Sequence, residues 1–170
     1  MLRMLWSGKD EIQHVVYVLL FVWALRRGGK VEQVSAGLLL AMPVCDDLYH
    51  YFANGSLRWH NADMGHLVVD CVMLAATGAL ALQANRIYPL WIGAAQIISV
   101  LAHLYRLLIV QIDRVVYDIM SMLPSYIQLV ALVIGLLCHV SRHRKLGSYP
   151  SWRSSFQLSR ASRTASLQNA

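Results

Sequence analysis

The chain has 170 residues, of which 57% are hydrophobic and only 14% charged, with a formal net charge of +6. Soluble domains carry about a quarter of their residues charged, so this composition and the mean hydropathy of +0.47 argue against a soluble domain. The excess charge lies in residues 141–170, where Arg142, Arg144, Lys145, Arg153, Arg160 and Arg163 stand without an acid. A basic tail behind apolar segments fits the cytoplasmic side of a membrane and gives no reason to invoke nucleic acid.

In chain order, five stretches approach the ~20 residues that a helix needs to cross the hydrocarbon layer: residues 8–27, 34–52, 64–84, 88–111 and 124–140. These predict an all-α, integral membrane five-helix bundle in residues 1–140. In the first, Ser7-Gly-Lys-Asp10 has capping-box spacing and Gly28-Gly29 supplies a stop. Lys9, Asp10 and Glu11 interrupt any signal-peptide pattern, so this segment is expected to stay as a membrane helix. The second contains Pro43, which should kink it, and ends at Asn54-Gly55. Pro89 and Pro124 suit the first turns of the fourth and fifth, where a missing N–H costs nothing.

Between the last two spans, residues 111–122 mix Ile112, Val115, Val116 and Ile119 with Asp113, Arg114 and Asp118. The pattern predicts a short amphipathic helix on the outer surface. Residues 141–170 are rich in Ser and Arg and are expected to be a disordered cytoplasmic tail, with anionic lipid as its expected contact. Trp6, Trp59, Tyr88 and Trp91 fall near span ends, as interfacial anchors do. Cys45, Cys71 and Cys138 lie inside spans without CxxC spacing and read as small apolar side chains.

Lys and Arg set the expected orientation. Arg26, Arg27, Lys30, Arg86 and the tail cations fall on one side, against Arg3, Lys9, Arg58, Arg106 and Arg114 on the other. The positive-inside rule then puts the N-terminus outside and the C-terminus in the cytoplasm. Glu32 is the one acid expected on the inner side.

Polar residues inside the spans recur at steps of three and four, which aligns them on one face of each helix. Asp46, Asp47 and His50 mark the second span, and Asp63, His66, Asp70 and Thr77 the third. Gln96, Ser99, His103 and Arg106 mark the fourth; Ser121, Ser125, Gln128 and, far below them, His139 mark the fifth. Lipid does not solvate such groups, so the stripes should face one another. By rise per residue, Asp46, Asp47, Asp70, His103 and Arg106 share one layer in the outer half, with His14 entering from the first span.

Two kinds of chemistry fit that layer. The favoured reading is a structural network or a pocket for a small ligand or proton, without a cofactor, in which Arg106 neutralises Asp70 or Asp46. The alternative is a metal site: Asp46/His50 and His66/Asp70 are i, i+4 pairs. His50, His66, Asp70 and His103 could then cage a divalent ion such as Zn²⁺ or Fe²⁺ and activate water for hydrolysis. The sequence lacks HExxH, GxSxG, CxxCH and Walker patterns, and no residue is assigned a catalytic role. His139 groups with the basic residues that follow it.

At Asp47-Leu-Tyr-His50, Asp63-Met-Gly-His66-Leu-Val-Val-Asp70 and Asn85-Arg-Ile-Tyr-Pro-Leu-Trp-Ile92 the chain resembles a set of small polytopic bacterial membrane proteins with no assigned activity. The resemblance covers roughly residues 1–140. It implies a bacterial inner-membrane location and brings no cofactor or catalytic residue.

Overall fold

Five helices carry the fold in the computed structural model, which describes residues 2–53, 58 and 59, 62–108, 114–147 and 152. They are α1 (Leu2–Arg27), α2 (Lys30–Ala53), α3 (Met64–Gln83), α4 (Tyr88–Leu108) and α5 (Arg114–Leu146). Between α2 and α3 a minimal hairpin pairs β1 (Arg58–Trp59) antiparallel to β2 (Ala62–Asp63). Among the described residues the fold is all-α apart from this hairpin and an isolated bridge between Ala84 and Trp152.

Short connections make neighbours of successive helices. α1 packs on α2, α2 on α3, α3 on α4 and α4 on α5, and α5 also touches α1 and α2. Gly28 makes the first reversal possible. Its N–H donates to the Ala24 carbonyl at 2.8 Å, and an added Cβ would sit 2.6 Å from that same oxygen. At the other terminus of the bundle's sequence, Gly147 adopts φ 68° and its N–H caps the His143 carbonyl at 3.0 Å. Only glycine enters that left-handed conformation without strain, so α5 stops there.

Several boundaries differ from the sequence expectation. α1 begins at Leu2, which puts the Ser7–Asp10 capping pattern inside a helix instead of at its start. Residues 114–122 form no separate surface helix; they continue without a break into α5, with Pro124 inside it. A proline within a helix loses its own N–H bond and crowds the carbonyl four residues back, but the apolar stripe of Ile119, Leu123 and Ile127 keeps helical spacing on both sides of it and the helix runs through. Residues 141–146 are likewise helical, because the α5 stripe extends to His139 and nothing breaks the helix before Gly147. Beyond Gly147 the tail, Trp152 excepted, lies outside the described residues.

The apolar core is built from Leu20, Ala24, Val31, Leu39, Ile92, Leu132 and Leu136, all buried. Beside it the interior holds Glu32, Asp70, Gln96, Ser99, His103, Gln128 and His139, also buried. Outward faces reverse the usual order: Ile12, Val15, Val18, Val68, Val72, Ile97, Leu101, Val130 and Ile134 are exposed. Cys45, Cys71 and Cys138 are free and exposed on the same faces. Among the described residues, α3 and the Met122–Leu146 part of α5 are long and apolar enough to cross a membrane. α2 carries Lys30, Glu32, Asp46 and Asp47 within its length.

Candidate functional site

Two polar layers flank the apolar core. The first brings together α1, α2, α3 and α4 through three His–Asp contacts, each bridging two helices. His14 Nε2 of α1 lies 3.3 Å from Asp47 Oδ2 of α2. His66 Nδ1 of α3 meets Asp46 Oδ1 of α2. His103 Nε2 of α4 lies 3.2 Å from Asp70 Oδ2 of α3. Exposure falls along this series, from 69% for the Asp47 side chain through 39% for Asp46 to 6% for Asp70.

Asp70 is the anchor of the buried end. Gln96 Nε2 donates to its Oδ1 at 3.0 Å, and Ser99 Oγ donates to its Oδ2 at 2.7 Å. Gln128 Nε2 of α5 donates in turn to Gln96 Oε1 at 2.6 Å. The relay Gln128–Gln96–Asp70–His103 thus ties α5, α4 and α3 together. A carboxyl group removed from water costs free energy unless donors satisfy it, and these donors do so.

These contacts surround a cavity of about 490 Å³, lined by His14, Asp46, Asp47, His66, Asp70 and His103, with Ser99 and Ser125 adding hydroxyls. The His66 and His103 rings lie face to face across it, 6.3 Å between centroids and 18° from parallel. Of the residues expected in this layer, Asp46, Asp47, His66, Asp70 and His103 therefore line one space. The His50 side chain lies outside the described residues. Arg106 is half-buried in the last turn of α4, and it does not pair with Asp70, whose carboxylate is taken by Gln96, Ser99 and His103. The reason is register: Arg106 lies seven residues beyond Ser99, ~10 Å further along the helix.

The expected intrahelical pairing of His66 with Asp70 is also replaced. Asp70 turns to α4, and His66 turns to Asp46 on α2. Among the described residues, no three His, Cys, Asp or Glu side chains are grouped as metal ligands. His14, Gln96, Ser99 and Gln128 belong to the site through their contacts. Their signal was their place on the polar stripes.

The second layer is one that charge counting did not assemble. Glu32 is fully buried near the start of α2. Its Oε2 accepts the Gly29 N–H at 3.1 Å, as a glutamate at the third helical position does in a capping box. Its Oε1 lies 3.4 Å from Arg86 Nε, and Oε2 lies 3.6 Å from His139 Nδ1. His139 faces inward to Glu32 while its ring stacks on His143 of the basic cluster that follows it, 5.9 Å between centroids. Tyr88, expected as a surface anchor, is buried and shares a 3.1 Å hydrogen bond with Ser35. Trp91 is exposed, as an anchor would be; the Trp6 and Trp59 side chains lie outside the described residues.

No protein-family model, curated protein or solved structure matches this chain.

Proposed function

We propose that this is a multi-pass membrane protein whose first polar layer forms a pocket for a small cationic solute or proton. The observation that carries the pocket is the set of three His–Asp contacts around one cavity of about 490 Å³. With the imidazoles neutral, Asp46, Asp47 and Asp70 leave the space anionic. In a low-dielectric setting, a cation entering it gains far more than it would at a water-exposed carboxylate. Each imidazole is positioned to take up or release a proton as such a solute exchanges.

The membrane part of the proposal rests on the inverted distribution of polarity. Soluble monomers rarely expose continuous apolar surface of this extent, whereas helices in lipid turn polar groups inward. We place it as a five-span bundle of a bacterial inner membrane, with the N-terminus outside. In support, the Glu32 layer, Arg26, Arg27, Arg86 and the tail cations share one end, the one expected to be cytoplasmic. The His–Asp layer would then open toward the outside.

Thermal unfolding of the purified protein against Na⁺, K⁺, methylammonium, guanidinium, Zn²⁺ and Fe²⁺ tests the pocket. A bound ion raises the melting temperature by mass action, and at a concentration of 100 Kd contributes about 2.7 kcal/mol. At least one probe should stabilise the wild type and fail to stabilise Asp46→Asn or Asp70→Asn. Stabilisation by none of them would reduce the layer to a packing network. The facing His66 and His103 rings, each beside an aspartate, favour Zn²⁺ or Fe²⁺ as the second reading. Elemental analysis showing about one metal per chain, lost in His66→Ala and His103→Ala, would select it.

A further inference from the structure

A cavity larger than the one at the His–Asp layer lies elsewhere among the described residues. A groove of about 910 Å³ runs between the start of α4 and the second half of α5. Its walls are apolar, with Leu90, Trp91, Tyr126, Val130 and Ile134 all exposed. One end is polar: Asn85, Arg86, His139 and Arg142 line it. Glu32 offsets Arg86 there, while Arg142 lies exposed in the helical turns that also carry His143, Arg144 and Lys145. The rim of the groove is therefore cationic and its body apolar.

We infer that this groove holds one acyl chain of an anionic phospholipid, with the phosphate at Arg142 and Asn85. The inference rests on the membrane reading above. Dimensions agree: Tyr126 to His139 spans fourteen residues, or ~20 Å of helix, which exceeds the ~15 Å depth of one leaflet's hydrocarbon. Charge decides among occupants. Trp152 of the chain's own tail pairs with Ala84 at this end, but the tail carries no acid to meet Arg142, and a second copy would bring the same cations to the rim. An anionic headgroup satisfies Arg142 while its chain covers Trp91 and Val130. Exposed tryptophan beside a basic rim is also the pattern of a headgroup-level contact.

Trp91 lies in the groove and reports on it directly. In nanodiscs, a variant retaining Trp91 as its sole tryptophan should be quenched more by brominated phosphatidylglycerol than by brominated phosphatidylcholine at equal, low mole fraction. One cation at the rim corresponds to roughly a fivefold preference, and Arg142→Glu should abolish it. Should the multiple replacement fail to fold, lipid retained by the otherwise wild-type chain in mild detergent gives the second measurement. About one phosphatidylglycerol should co-purify, and Arg142→Glu should lose it. Equal quenching by both lipids, or equal loss of both on purification, would overturn headgroup selection while leaving the membrane reading standing. Protection of Trp91 from both lipids in a dimeric species would assign the groove to a second copy instead. Protection in a species that does not enter nanodiscs would overturn the membrane reading as well.

Discussion

Replacing Glu32 by alanine tests whether the buried layer at the basic end holds the helices together as an ion pair. Glu32 has no exposed surface, and Arg86 Nε at 3.4 Å and His139 Nδ1 at 3.6 Å stand at its two oxygens. Those separations are long for hydrogen bonds, so the attraction is mainly Coulombic. At 3.4 Å and an effective dielectric of ~20, a full charge pair is worth about 5 kcal/mol. Most of that only offsets the desolvation of the two ions. Deleting the carboxylate leaves the cation in place with that cost unrecovered, which typically destabilises by about 3–5 kcal/mol. Losing the contact to the Gly29 N–H adds about 1 kcal/mol. Thermal unfolding in detergent should fall by ~2–4 °C per kcal/mol for a chain of this size, hence by roughly 8–24 °C. Glu32→Gln keeps an acceptor for Gly29 but no charge, and should recover only the capping share. Glu32→Leu combined with Arg86→Leu should be milder than either alone. If Glu32→Ala melts with the exposed control Lys30→Ala, and the double variant shows no coupling, the ion-pair reasoning is refuted.

Other outcomes follow from the same geometry. Asp70→Ala strands Ser99 without its acceptor and leaves Gln96 only the residue 70 carbonyl at 3.3 Å, and should cost about 2–4 kcal/mol; urea or thermal titration beside Asp47→Ala, at an exposed position, should show a clear gap. Gly135→Val should loosen α4 from α5, because even a Cβ there would lie 2.6 Å from the Tyr88 ring; a melting temperature within ~1 °C of wild type would contradict that contact. Ending the chain at Gly147 removes Trp152, which packs on the core and bridges to Ala84. The truncated protein should stay folded but melt a few degrees lower, by roughly 1–2 kcal/mol of lost burial, and Trp152→Ala in the full chain should reproduce most of the loss. Reporter fusions at Gly29, Arg86 and Ala170 should score as cytoplasmic and one at Gly55 as external. The reverse pattern would overturn the orientation.

Periodicity alone made the helices and their polar faces legible. Apolar runs bounded by Gly28-Gly29 and interrupted by recurrent Asp, His, Gln and Ser specify both a helix and the side it must hide, since an unsatisfied polar group has nowhere else to go. The same logic, with the rise per residue, puts Asp46, Asp47, Asp70, His103 and Arg106 in one layer from the sequence alone. Which acid meets which base was not legible, because spacing along a helix fixes rotation and height but not the partner helix. Asp70 took Gln96, Ser99 and His103 on α4, not Arg106, through a register that depends on how α3 and α4 slide against each other. Glu32 shows the same limit from the other side. Its solitary charge was visible in the sequence. Arg86 and His139 stand 54 and 107 residues further along, and only the closure of α5 onto α2 brings all three to one buried point.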